Sequence, residues 1–443
     1  MKWLDEALAA GDTTTPAHPS RVAVFEAVGA DRAGPVAARL LRLVQAEDAA
    51  VRREVLTLLQ SLSFHVPWPE AADAALGRLT DPDEEVRRRA ARLLVGAGRR
   101  DLALTALGGL TDPVVRTVLA RALGADLAHL ARLRTDPLAS VRFLARLETL
   151  RVAPPAQWPA LDAALCADAG EVALQLERAG RDWGQVLHQL GREQHTYAVA
   201  ARLLADPATR EVGADLAREA CHDWRAAPVE LLPLLVRHCG REGGPAVARA
   251  LTTASISRAA MRAHGALTTT VPFTPYPKPR HPCGTGRPSY DSASAAALLA
   301  AKPIGIGRLA DAPEVFGALL DAGPLTFRQA AQLYNLTFRW PGRTQAQCAP
   351  LWLRHAGPAV LERLLDLLTP QLGDYAVGEH YLACLARMGS RALPALPAVT
   401  ALIDRRTRIP VNDSTRDAET AADERLLAAA LLARRAILAD ATA

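Results

Sequence analysis

The sequence predicts an all-α fold, an α-solenoid of stacked helical hairpins, and three observations predict it. The 443 residues are 50% hydrophobic but only 5% aromatic, and the apolar residues are mostly Ala, Leu and Val, which favour helices over sandwiches or barrels. One phrase recurs along the chain. Between its copies, apolar residues fall at spacings of three and four.

The phrase is Leu76-Gly77-Arg78-Leu79-Thr80-Asp81-Pro82, Leu107-Gly108-Gly109-Leu110-Thr111-Asp112-Pro113, Leu130-Ala131-Arg132-Leu133-Arg134-Thr135-Asp136-Pro137 and the shorter Leu203-Leu204-Ala205-Asp206-Pro207. Looser copies place Asp48 and Asp168 in the same series, so successive Asp residues stand 24 to 38 apart. That period fits one helical hairpin per repeat. In each copy one helix ends in Leu-x-x-Leu and the chain turns. Asp81 is then the expected N-cap, with Pro82 at the first helical position, where a missing N–H costs nothing. Asp83, Glu84 and Glu85 complement the helix dipole, and Glu84 is placed for a capping box. Val86, Ala90, Leu93 and Leu94 form the buried stripe of the helix that follows, leaving Arg87, Arg88, Arg89 and Arg92 outside it. Val51, Val55, Leu58 and Leu62 form the corresponding stripe one repeat earlier.

A turn Asp followed by Val-Arg occurs as Asp48 with Val51-Arg52, Asp81 with Val86-Arg87, Asp112 with Val115-Arg116, and Asp136 with Val141-Arg142. These segments resemble HEAT repeats, helical hairpins that stack into α-solenoids. The resemblance implies a ladder between neighbouring repeats made by Asp48, Arg52, Asp81, Arg87, Asp112, Arg116, Asp136 and Arg142. It is strong over residues 20 to about 150. From 160 to 260 the pattern departs, because Asp168 is followed by Val172-Ala173 with no Arg.

Residues 1–265 are therefore read as an N-terminal array. Residues 266–310 form a connecting segment: six prolines between 272 and 288, with Gly284 and Gly286, oppose helix and favour extended chain. Gly305-Ile306-Gly307 follows no strand and gets no cofactor meaning. Residues 311–443 are read as further hairpins continuing the solenoid, with helices over Ala312–Leu320, Pro324–Arg339, Cys348–His355, Pro358–Leu368, Val377–Met388, Leu393–Ile403 and Asp417–Ala439. An Arg-rich loop with Arg405, Arg406 and Arg408 joins the last two. About ten hairpins fit the chain.

The first residues, Met1-Lys2-Trp3-Leu4-Asp5-Glu6, lack the basic start and apolar run of a secretory leader, and no long uncharged apolar window follows. Six widely spaced cysteines read as reduced thiols, so a cytoplasmic location and no membrane partner are expected. The net charge is +5, with 49 Arg and 3 Lys. The excess gathers in residues 76–151, which hold 14 Arg and 9 acidic residues. A basic patch of Arg88, Arg89, Arg92, Arg99, Arg100 and Arg121 is the expected partner-binding region. Equivalent positions in the next repeats hold Thr117 and Phe143, or Arg121 and Leu147, so no basic row tracks the array as a phosphate backbone would require.

Neither a metal nor a cofactor is expected. Cys221-His222 and His238-Cys239 are adjacent pairs, and neighbours on a helix point about 100° apart, away from one ion. No nucleophile elbow, P-loop or Ser/His/Asp order is present. The reading is a non-enzymatic scaffold that binds a protein partner along its concave face. The alternative is a DNA-binding protein or HEAT-like alkylpurine DNA glycosylase. It would stack a cationic base on Trp183 or Trp224 beside Asp182 or Asp223.

Overall fold

The computed structural model describes residues 19–65, 68–124, 127–239, 244–263, 265, 289–301, 311–339, 341–409 and 415–439. The Pro-rich stretch 266–288 and Gly305–Gly307 lie outside the described residues, and so does Cys283. Among the described residues the regular structure is helical, with one isolated β-bridge between Trp224 and Thr407. None of the described helices is long and apolar enough to cross a membrane. The fold is all-α and built of stacked HEAT-like hairpins. The chain forms two compact units, residues 1–192 with 202–216, and residues 193–201 with 217–443.

The first unit holds α1 (Pro19–Ala30), α2 (Pro35–Leu43), α3 (Ala49–His65), α4 (Pro69–Leu76), α5 (Glu84–Gly96), α6 (Arg100–Gly109), α7 (Pro113–Leu119), α8 (Leu127–Leu133), α9 (Ala139–Val152), α10 (Trp158–Val172) and α11 (Ala179–Gln189). Helices α3, α5, α7 and α9 pack side by side as one row, and α4, α6 and α8 back them. The expected stripe of α5 is buried: Val86, Ala90, Leu93 and Leu94 are all fully covered. Asp112 caps α7 by accepting from Val114 N at 2.9 Å and Val115 N at 3.1 Å, with Pro113 at the first helical position.

Two starts in this row differ from expectation; α9 begins at Ala139 rather than Pro137, and Asp136 Oδ1 accepts from Leu138 N at 3.0 Å. The cap of α5 is Asp83, whose Oδ1 accepts from Val86 N at 2.9 Å. Asp81 is instead buried and its Oδ1 accepts from Asp83 N at 3.0 Å. The helix therefore begins at Glu84 rather than at Pro82. Glu84 falls at the first helical position, where a side chain cannot reach back to complete a capping box.

Helices α12 (Glu193–Ala205) and α13 (Arg210–Asp223) contribute to both units. The second unit adds α14 (Ala227–Arg237), α15 (Gly244–Ala254), α16 (Arg258–Ala263), α17 (Ser292–Ala301), α18 (Ala312–Ala322), α19 (Phe327–Phe338), α20 (Arg343–Ala356), α21 (Leu361–Leu368), α22 (Gly378–Met388), α23 (Leu396–Asp404) and α24 (Arg416–Ala439). Here α18, α20, α22 and α24 pack in sequence, backed by α17, α19 and α23. Their cores centre on Phe316, Leu333 and Leu336 at one end and on Tyr381, Leu385 and Leu426 at the other.

The polar contacts joining residues 217–253 to the C-terminal hairpins come from residues 402–424, the end of that row. Trp224 N and its neighbours run antiparallel to residues 406–408, with Arg225 N donating to Arg406 O and Arg408 N to Asp223 O, both at 2.9 Å. The hairpin that meets this part of the array through polar contacts is thus the last in chain order. Asp423, fully buried, accepts from Arg225 at 2.7 and 2.9 Å, from Arg408 at 3.0 Å and from Ile409 N at 3.2 Å. Arg416 reaches Asp223 at 2.6 Å and also pairs with Glu219.

Candidate functional site

The row of the first unit is held by arginines that each make two kinds of bond. Arg52 Nη1 donates to Ala46 O at 2.8 Å and Glu47 O at 2.7 Å, while its Nη2 donates to Asp81 Oδ1 of the next hairpin at 2.8 Å. Arg87 repeats this with Asp81 O, Pro82 O and Asp112 Oδ2, the last at 2.6 Å. Arg116 holds Leu107 O and Leu110 O and pairs with Asp136. Arg142 holds Asp136 O and Pro137 O and reaches Asp168 Oδ1 at 3.0 Å. Each guanidinium satisfies carbonyls of its own turn and neutralises the next turn's carboxylate, a fork that a lysine could not make. Asp48, first of the series, accepts from Ala50 N at 2.8 Å.

The pair formed with Asp81 sits deepest, with side-chain exposures of 7% and 0%. Burial pushes the Asp81 carboxyl up, but hydrogen bonds from Arg52, Asp83 N and Arg78 outweigh it and leave the group below its ordinary value.

Neighbouring helix axes lie about 8–10 Å apart. Arg121, just after α7, nevertheless reaches Asp182 of α11 at 3.1 Å, and α9 packs between those two helices. Arg100, Arg121, Glu148, Arg151 and Asp182 gather around this pair from α6, the turn after α7, α9 and α11. Glu148 is raised, first by burial and then by Asp182, against the charges of Arg151 and Arg100. Gly124 makes room for Arg100: a Cβ at Gly124 would stand 2.2 Å from the Arg100 Nη1.

The six arginines expected as one basic patch are thus dispersed. Arg88 and Arg89 both pair with Glu85, and Arg89 also lies 3.3 Å from Glu54. Arg99 pairs with Asp73 at 2.9 Å and Asp101 at 3.2 Å. Arg100 and Arg121 belong to the cluster around the Arg121–Asp182 pair. The Arg92 side chain is exposed and forms no ion pair or hydrogen bond among the described residues. The face carries both signs of charge, because Arg87, Arg88, Arg89 and Arg99 are each matched by a carboxylate of their own or an adjacent element.

The residues of the glycosylase alternative are placed against it. Trp183 is 0% exposed and meets Phe143 edge-on at 5.8 Å, and Trp224 is 2% exposed and meets Tyr197 edge-on at 6.2 Å. Their carboxylate neighbours are engaged, Asp182 with Arg121 and Asp223 with Arg416. A base cannot stack on an indole that forms part of a packed core. Cys221 and His222 are buried, and His222 Nδ1 lies 2.9 Å from Thr420 Oγ1. Burial pushes the Cys221, Cys348 and Cys384 thiols up to about 12, which keeps them protonated. Among the described residues no group of three or more His, Cys, Asp or Glu is arranged to hold a metal.

Several anchoring residues escaped sequence reasoning. Arg210 stands four residues after Asp206, the same interval as Arg52 after Asp48, and its buried Nε donates to Leu204 O at 3.1 Å. The Asp-to-Arg interval is its signal in the sequence, but no Val precedes this Arg. Arg146 joins Arg142 on Asp168. Arg192 reaches Asp162 at 2.9 Å and lies over the Trp158 ring at 4.6 Å. For Arg225, Arg408 and Arg416 there was no local signal, since their partners stand up to 198 residues away.

No family model matches the chain, and no curated protein matches it. Solved structures of the karyopherin Kap121p are similar to it. The complex with RanGTP shares 14% identity at a TM-score of 0.34, covering 98% of this chain and 52% of that one. The complex with Pho4p shares 12% at 0.35, covering 95% and 48%. Kap121p alone shares 12% at 0.33, covering 98% and 49%. The chain spans about half the length of these Kap121p chains, and at this level of similarity neither their names nor their binding partners transfer to it.

Proposed function

We propose that the chain is a non-enzymatic, cytoplasmic HEAT-like scaffold, without a cofactor, that binds a protein partner across the concave side of its first unit. The observation that supports this is the cluster around the Arg121–Asp182 pair, which gathers charged side chains of both signs from four elements of the first unit. Mixed charge held on a rigid scaffold favours specific pairing with another polar protein surface over a uniform polyanion. Stacked hairpins present such extended faces and act through them.

The test compares the full chain with Arg100→Glu/Arg121→Glu on this face and with Arg391→Glu on an exposed part of the second unit. A protein recovered in stoichiometric amount by the wild type and by Arg391→Glu, but lost from the double variant, is the expected outcome. Equal recovery by all three overturns the reading. Retention of duplex DNA that falls steeply with salt would move it to nucleic acid.

A further inference from the structure

Helices α19 and α20 lie in a stretch of one charge sign. Residues 322–361 contain Arg328, Arg339, Arg343 and Arg354 and no Asp or Glu. Arg354 is paired at 2.6 Å with Asp321, just outside that stretch. The side chains of Arg328 and Arg339 are exposed and form no ion pair or hydrogen bond among the described residues.

An aromatic cluster is built on the same two helices. Tyr334 and Phe338, one turn apart on α19, meet at 4.7 Å between ring centroids, and Trp352 of α20 stands edge-on to both at 5.4 and 6.3 Å. Arg363 joins it from α21. Its Cζ lies 4.6 Å from the Phe338 ring centre and 5.7 Å from that of Tyr334, and its Nη2 donates to the Tyr334 hydroxyl at 3.0 Å. The rings and one hydrogen bond thus hold the guanidinium in place. Arg363 is exposed and has no ion pair among the described residues, so its remaining donors are organised to receive a carboxylate.

The same face of α19 carries a bare ring. Positions 327, 331, 334 and 338 share one side of the helix by their spacing, Ala331 is exposed, and Phe327 is 91% exposed. Thr326 and Gln329 close a capping box around the helix start, which fixes the backbone that carries Phe327. Phe327 and Tyr334 stand two turns apart, about 10 Å along the axis.

We propose that this face of α19 docks an acidic amphipathic helix of a protein partner, with a carboxylate on Arg363 and a large apolar side chain two turns away over Phe327. A helix lying along α19 repeats that seven-residue spacing on its own face. Trp, Tyr and Arg gathered beside an apolar ring are the residues that carry binding energy at interfaces, and Arg328 and Arg339 would meet further acids of the partner. Single-stranded nucleic acid fits less well, because it needs successive free ring faces for its bases. Arg363 already lies over Tyr334 and Phe338. The surface belongs to the second unit, and the inference does not depend on the first-unit reading above.

The probe is a fluorescein-labelled eighteen-residue peptide with Leu and Glu sharing one helical face and Ala elsewhere, titrated with the full chain by fluorescence anisotropy at low and high salt. The comparators are the same peptide with Gln for Glu, the same residues in scrambled order, and a single-stranded DNA of equal charge. The Glu peptide is expected to bind at least tenfold tighter than the Gln and scrambled peptides and to weaken with salt. Phe327→Ser and Arg363→Gln should each weaken it about tenfold, the scale of one charge-assisted hydrogen bond or one buried ring, and Arg100→Glu/Arg121→Glu should leave it unchanged. The thermal midpoint of Phe327→Ser should match wild type, since the ring is exposed, so that its loss of binding is not a loss of fold. Equal binding of the Glu peptide and either peptide comparator, insensitivity to Phe327→Ser or Arg363→Gln, or tighter binding of the DNA overturns the proposal. Loss of the peptide from Arg100→Glu/Arg121→Glu also overturns it, by moving the acidic helix to the first unit.

Discussion

Arg52 and Asp81 meet at 2.8 Å across two hairpins, both almost wholly out of solvent, and the same guanidinium closes the C-terminal carbonyls of its own turn. Removing Asp81 leaves the buried Arg52 guanidinium uncompensated, so Asp81→Ala should cost about 3–5 kcal/mol; Arg52→Ala should cost less, because Arg78 still lies 3.2 Å from Asp81. The Arg87–Asp112 pair is partly open, at 21% and 23% exposure, and its ionic part should be worth about 1 kcal/mol or less. Urea unfolding followed through the buried Trp68 and Trp183 measures both. Equal losses would show that depth does not grade the ladder.

Acid should loosen the same joint. Asp81 and Asp423 are held below the ordinary aspartate value of 3.8, because charged hydrogen bonds outweigh the burial that would raise them. A carboxylate with a depressed folded pKa stabilises the fold while ionised. Its contribution is complete above about pH 4 and is lost as pH falls through the folded value. Asp81→Asn and Asp423→Asn should be less stable than wild type at pH 7, and the gap should narrow as pH drops below 4. Thermal midpoints taken from pH 7 to pH 2 check this, and a gap independent of pH contradicts it.

The tie between residues 223–225 and 406–424 depends on Asp423. Asp423→Ala would leave Arg225 and Arg408 buried without their shared carboxylate, at a cost of about 3–5 kcal/mol. Limited proteolysis should then cut more readily within residues 404–409 than it does in wild type. The double variant Arg225→Ala/Asp423→Ala should lose clearly less than the sum of the single losses, because the pair acts as a unit.

Two helical glycines should respond in opposite directions. A Cβ at Gly180 in α11 would stand 2.2 Å from Val212 O and 2.7 Å from Leu216 N, both backbone atoms. Gly180→Ala must push α11 from its neighbour and should destabilise by about 1–3 kcal/mol or more. Gly317, inside α18, has nothing within 4 Å of its Cβ position, so Gly317→Ala should stabilise by about 0.5–1 kcal/mol. Denaturation midpoints of the two variants decide it.

Trp183→Ala and Trp224→Ala should each cost about 3–5 kcal/mol by emptying core volume, with no release of alkylated purine by the wild type to lose. Base release by the wild type that vanishes in both variants without loss of stability would contradict the burial seen for both rings.

The sequence by itself determined the helical hairpins, their period and the start of α7. Those features depend on neighbours three or four residues away: the Asp112-Pro113 start, the Val86-Ala90-Leu93 stripe and the Asp-to-Arg interval are all local. Local pattern misplaced the cap of α5 by two residues, because only tertiary packing buries Asp81 beneath Arg52. The arginines of residues 76–151 looked like one patch in one dimension. Folding divided them, since Asp73, Asp101, Glu54 and Asp182 reach them from other turns or helices. Tertiary structure alone also decided that the last hairpin, through Arg408 and Asp423, meets the Trp224 segment. Long-range ion pairs leave no periodicity in sequence, because each depends on two side chains whose separation along the chain is set by everything folded between them.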